Sequence, residues 1–112
     1  QRFLASINTA MPRISRHMDL TSTGHGCNRT APVLASQSTV FAEGKAILVR
    51  GNRVKTHLIP RKKKPLKCIA HKNAKLKGSS RSVFVGNIGV GRKGDRADKG
   101  AMRQAAFTVH AG

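Results

Sequence analysis

Two stretches of the chain repeat one another without a gap. Ser36-Gln37-Ser38-Thr39-Val40-Phe41-Ala42 returns as Ser79-Ser80-Arg81-Ser82-Val83-Phe84-Val85. The same register carries Ile47 onto Val90, Arg50 onto Lys93, Gly51 onto Gly94, Asn52 onto Asp95 and Arg53 onto Arg96. A third, weaker copy is split across the ends: Arg16-His17-Met18-Asp19 resembles the turn half, and Thr108-Val109-His110-Ala111-Gly112 the Val-Phe half. Ser36 to Lys45 reads as a strand closing on a Gly turn, and Ala46 to Arg50 as a second strand stopped by Gly51-Asn52. No unit this short encloses a core of its own, so the copies must pack on one another. The expectation is an all-β body of short hairpins with internal pseudo-symmetry.

Such a body is hard to hold together with these residues. A chain of 112 residues is one domain with a modest core. Phe3, Phe41, Phe84 and Phe107 are its only aromatic residues, and the apolar remainder comes in short runs of Val, Ile, Leu and Ala. Part of the Phe41 and Phe84 rings is expected in the core. Burial alone struggles against the chain's conformational entropy. A structural zinc contributes roughly 10–16 kcal/mol of apparent binding energy to folding, which would fill the gap.

Ligands for one are present. His25, Cys27, His57, Cys68 and His71 all fall between residues 25 and 71, which takes in both cysteines and three of the five histidines. Imidazole and thiolate suit Zn²⁺, with Fe²⁺ the less common choice, and four ligands close a tetrahedral site. His25 follows Asp19 much as His57 follows Asn52, so related turns deliver related ligands, while the third turn, after Asp95, offers Gly100. Cys68 and His71, two residues apart, would complete the shell from one tight turn. A Cys27–Cys68 disulfide is the other use of the thiols in an oxidising compartment. Histidines at each end favour shared ligation.

The net charge of +18 points to a polyanionic partner: nucleic acid, an acidic protein or a phosphate-rich surface. Stacking aromatics interleaved with the cations, or a basic helical face, would favour nucleic acid, and neither is present. A zinc-stabilised basic nucleic-acid-binding protein is the rival reading, and it leaves the repeat unexplained. A metalloenzyme is disfavoured by a closed four-ligand site and by a carboxylate inventory limited to Asp19, Glu43, Asp95 and Asp98.

Around these features the chain reads simply. Residues 1–11 form an N-terminal extension or leader, and residues 12–112 the domain. Leu20 to Gly26 is a Thr/Ser/Gly-rich loop delivering His25. Arg61-Lys62-Lys63-Lys64 lies between Pro60 and Pro65 as an exposed, self-repelling connector. No apolar run reaches the length of a membrane span, and no secretory signal pattern is present.

In this order the motifs resemble those of the PAAR-repeat proteins, the caps on the spikes of contractile phage tails and type VI secretion systems. Gly24-His25-Gly26-Cys27 is similar to the family's His-Gly-Cys segment, and Ser36 to Lys45 to its Val-Phe-x-x-Gly-Lys repeat. Gly91-Arg92-Lys93-Gly94-Asp95 stands where the family has Ala-Arg-x-Gly-Asp, Arg16-His17-Met18-Asp19 is an eroded form of that turn, and Val109-His110-Ala111-Gly112 resembles its ending. The chain departs from the pattern at Ala46-Ile47-Leu48-Val49 and Gly89-Val90-Gly91-Arg92, and Asn52 replaces an Asp. The resemblance spans residues 12–112. It implies a small pseudo-threefold cone of β-hairpins whose base sits on a trimeric β-helical spike, one tip per trimer. Three His and one Cys would hold zinc or iron near the vertex: His25, His57, Cys68 and His71, with Cys27 the substitute sulfur. It further implies a structural role, not an enzymatic one, in a virion baseplate or a type VI-like secreted spike. The tip would touch a target outer membrane transiently, and no specific nucleic acid is expected.

Overall fold

In this computed structural model, residues 11–65 and 67–112 are described; the expected leader thus lies outside them apart from Met11. The described residues contain no helix. Ten short strands form five antiparallel hairpins: β1 (Leu20–Ser22) with β2 (Thr30–Pro32), β3 (Phe41–Ala42) with β4 (Lys45–Ala46), β5 (His57–Pro60) with β6 (Cys68–His71), β7 (Phe84–Val85) with β8 (Ile88–Gly89), and β9 (Arg96–Ala97) with β10 (Gly100–Ala101). The expected all-β class is the one observed.

The symmetry is explicit in the backbone. Ser15 N–H donates to the Gly91 carbonyl (2.9 Å), Gly91 N–H to that of Leu48 (2.8 Å), and Leu48 N–H to that of Ser15 (3.0 Å). Three segments far apart in sequence thus close a ring of three hydrogen bonds. Bridges between Ile14 and Arg92, Arg16 and Ile47, and Val49 and Val90 flank it with the same cyclic order. On one side of the ring, Ile14, Ile47 and Val90 donate to the carbonyls of Val109, Val40 and Val83. Val109 therefore occupies the third Val position, and the split copy is structurally equivalent to the other two. On the other side, Met18, Gly51 and Gly94 donate to Val33, Leu76 and Met102, which donate back to Asp19, Asn52 and Asp95.

Turn chemistry explains the departure at Asn52. In two copies an aspartate caps its own turn and binds the arginine that opens it: Asp19 accepts from Arg16 N–H (2.7 Å) and its guanidinium, and Asp95 from Arg92 N–H (2.8 Å) and its guanidinium. The copy at residues 36–53 has Val49 where the arginine stands. Asn52, buried, makes the same cap to Val49 N–H (2.8 Å) without a charge that would lack a partner, and its amide donates to Ser36 Oγ (2.7 Å).

Two apolar clusters meet at the ring. Ile14, Ile47 and Val90 pack with Ala42, Ala106 and Ala111 on the side of the Val-Phe hairpins. Val33, Leu76 and Met102 pack with Val54, Ala97 and Leu48 on the side leading to β5 and β6. The expected strand over Ser36–Lys45 is shorter than its pattern implies. Gln37 Oε1 accepts from the N–H groups of Thr39 and Val40, diverting this backbone from pairing, and only Phe41–Ala42 and Lys45–Ala46 pair. The expected loop over Leu20–Gly26 begins instead as β1. Phe41 and Phe84 are about half exposed, at 54 % and 55 %, and Phe107 is 74 % exposed. Their small neighbours such as Ala42 fill the core in their place.

β3 and β4 are joined by Glu43-Gly44, both at positive φ (51° and 79°), and β7 and β8 by Gly86-Asn87 (57° and 66°). These are the twist-matching two-residue hairpin turns. Glu43 also ties its own copy to both halves of the split one. Its carboxylate accepts from Arg16 Nη1 (2.8 Å), Phe107 N–H (2.9 Å), Thr108 N–H (3.0 Å) and the Thr108 hydroxyl (3.0 Å). Lost solvation pushes this carboxyl up, but the Thr108 and Phe107 bonds and the Arg16 charge outweigh it, and its pKa lies below the ordinary glutamate value. A carboxyl lowered by folding stabilises the fold above its unfolded pKa, and that contribution fades as pH falls through the folded one. Glu43→Gln should therefore melt earlier than wild type at pH 7, and acidification should close the gap. Melting curves across the acidic range check this, and a gap that stays constant would count against it.

Candidate metal centre

Beyond the ring, successive layers of the fold lead to a cluster built from four separate segments. His25 comes from the loop between β1 and β2, His57 and His71 from β5 and β6, and Asp98 from the turn between β9 and β10. Each is fixed by its surroundings. The His25 loop is closed by the buried Thr23, whose hydroxyl donates to the Asn28 carbonyl (2.6 Å) and accepts from His25 N–H (3.2 Å). Gly24 begins that bend at φ 72°, and a Cβ there would lie 2.3 Å from the Lys99 carbonyl oxygen. Only glycine allows so close an approach to the Asp98 turn. His57 and His71 face each other as register partners across the β5–β6 hairpin. Asp98 adopts φ 53°, a left-handed conformation that Asp tolerates better than most residues.

The donor atoms converge. His25 Nε2 lies 2.9 Å from Asp98 Oδ1, His57 Nε2 lies 2.8 Å from Asp98 Oδ2, and His71 Nδ1 lies 3.4 Å from the same oxygen and 3.2 Å from His57 Nε2. One ligand atom from each residue lies within 4.8 Å of every other. A tetrahedral ion with bonds of about 2.0–2.1 Å sets its donors about 3.3 Å apart, close to the 3.2 and 3.4 Å separations at His71, so the wider ones would have to draw in around an ion.

The protonation pattern also asks for a cation. His57 Nδ1 is 2.9 Å from the Lys55 carbonyl, which can only accept, so Nδ1 carries the hydrogen. In the neutral ring Nε2 is then a bare lone pair, facing a carboxylate oxygen and the nitrogen of His71. Such a meeting of acceptors is favourable only around a metal ion or an added proton. A carbonyl fixing the far nitrogen is also the usual support for a ligating histidine. Burial pushes the Asp98 carboxyl up, while the facing imidazoles of His25, His57 and His71, when they carry protons, pull it down further, leaving it below the ordinary aspartate value.

Of the residues expected from the sequence, His25, His57 and His71 meet here and Cys68 does not. Cys68 is joined to Cys27 in a disulfide, so neither sulfur is available as a thiolate ligand. The reason is local. Cys68–Ile69–Ala70–His71 is a strand rather than a tight turn, so its two ends point to opposite faces and stand about 10 Å apart. Cys68 pairs with Pro60 at the outer end of the hairpin, while His71 pairs with His57 at the inner end. Asp98 takes the fourth place. The third turn delivers its ligand three residues after Asp95, ahead of Gly100, where repetition pointed. Of the remaining histidines, His17 is structural, its Nδ1 accepting from Ala35 N–H (2.9 Å).

Neither a family model nor a curated protein matches the chain.

Proposed function

We propose that the protein is the tip of the membrane-piercing central spike of a contractile injection machine, most closely a phage tail baseplate, with a type VI-like secreted spike as the other setting. The observation that carries this reading is the closed ring of Ser15, Leu48 and Gly91. A single chain has built a threefold axis for itself, and a cap of that kind can match the blunt end of a trimeric β-helix with one copy per trimer. At the Val-Phe end, Phe41, Phe84, Val40, Val83 and Ile88 are exposed apolar residues on equivalent hairpins, suited to a large partner.

The opposite end carries the proposed metal. Bound there, the ion would tie the β1–β2 loop, the β5–β6 hairpin and the β9–β10 turn into one point that resists opening under load. Zinc is the proposed occupant, with iron second. Three imidazoles and a carboxylate form a harder set than one with a thiolate, so the case for iron is stronger than with sulfur. The disulfide fits a protein that works outside a reducing cytosol.

The test is co-purification with a trimeric β-helical spike protein encoded in the same genome. One copy per trimer is expected by mass measurement. Phe41→Ser with Phe84→Ser should abolish binding while leaving the metal content intact. Three copies per trimer, or no binding, would reject the reading. The charge of +18 favours the nucleic-acid rival. Steep salt-dependent binding to duplex DNA or RNA by a protein that ignores the spike would establish it.

A further inference from the structure

Three of the four cluster residues, His25, His71 and Asp98, also line an open groove of about 640 Å³. The groove runs from the cluster along the flank, and Arg50, Lys62, Lys75, Lys77 and Lys99 line it too. Asp98 is the only carboxylate on its walls. No other carboxylate can neutralise these cations. The chain has four in all: Asp19 and Glu43 are engaged by Arg16, Asp95 by Arg92, and Asp98 by the histidines. His57 is buried behind the cluster, whereas the His71 side chain keeps 26 % of its surface open. The cluster is thus sealed on one side and faces the groove on the other.

We infer that the groove is a binding site for a di- or oligophosphate, held by the lysines along its length and by the metal at its end. Five fixed positive charges with one committed carboxylate call for a ligand carrying several negative charges. Lysine ammonium groups bind phosphate as point charges, and a four-coordinate ion with a solvent-facing side can expand its shell to a fifth ligand, a phosphate oxygen. The phosphate could be free in solution or borne on a lipid headgroup. This inference rests on the metal reading of the cluster and is independent of the spike partner.

The experiment uses the full chain loaded with Co²⁺, whose visible absorption reports its ligands. Titration with inorganic pyrophosphate should shift that absorption with saturation. Lys75→Ser with Lys99→Ser should weaken pyrophosphate binding at least tenfold while the cobalt band persists. Lys45→Ser with Arg103→Ser removes the same charge elsewhere and should change binding less than twofold. Vesicles of phosphatidylcholine with phosphatidylinositol bisphosphate, whose headgroup carries several phosphates, identify the source. Displacement of bound protein from them by pyrophosphate assigns the headgroup, and pyrophosphate binding with no vesicle binding assigns a soluble phosphate. If no cobalt band forms, the metal reading fails and the inference falls with it. A cobalt band that pyrophosphate leaves unchanged, or an equal loss in both double variants, overturns the inference alone.

Discussion

His57→Ala should lose the bound ion and melt far below wild type. His57 is the most buried imidazole of the cluster, and its Nε2 sits between Asp98 and His71, so nothing nearby can replace it. A structural zinc is worth roughly 10–16 kcal/mol in small domains. The apolar layers here remain without it, so only part of that is at stake. At about 4–8 °C per kcal/mol for a domain of this size, a loss of about 4 kcal/mol lowers Tm by some tens of degrees. Elemental analysis should find about one ion per wild-type chain and none in the variant. A chelator should bring wild type down to the variant's Tm and leave the variant where it is. A chelator-insensitive wild type with no ion would mean that protons, not a metal, occupy the cluster.

Reduction should produce the second large loss. The Cys27–Cys68 bond closes a span of 41 residues, and tethering such a span in the unfolded chain is worth about 4 kcal/mol in the chain-entropy account. It also holds two ligand-bearing segments together, because Cys27 lies two residues from His25 and Cys68 opens the strand that ends at His71. Cys27→Ser and Cys68→Ser should therefore lower Tm by similar amounts, and each should weaken metal retention against a competing chelator. That symmetry separates the disulfide from ligation. Were Cys68 a ligand, its replacement alone would strip the ion, and replacing Cys27 would not.

What the sequence disclosed followed from interactions that leave a periodic mark. The ungapped match of Val40-Phe41 to Val83-Phe84 marks two equivalent hairpins. Even the split copy at Val109 was recoverable, since the same turn chemistry recurs at Asp19. The three histidines were legible because they fall, together with both cysteines, in one window of the chain. Asp98 left no such mark. A lone carboxylate in a two-residue turn looks like ordinary turn chemistry, and only the fold shows that the third turn faces the first two. Cys68 was misassigned because a four-residue strand of Cys, Ile, Ala and His has no polar alternation to distinguish it from a bend. The exposure of Phe41 and Phe84 was hidden for a similar reason: a two-residue strand is too short to display an inside and an outside.

The ring of Ser15, Leu48 and Gly91 carries a kinetic consequence. Its members come from the beginning, middle and end of the chain, so none of its bonds rewards contact between sequence neighbours. Loop closure over most of the polypeptide must come first, which places this small protein among slow folders, about milliseconds to seconds, despite its length. Synthesis of the last segment therefore sets the earliest moment at which the domain can assemble. A chain stalled before Gly91 would hold two thirds of a circle with nowhere to close.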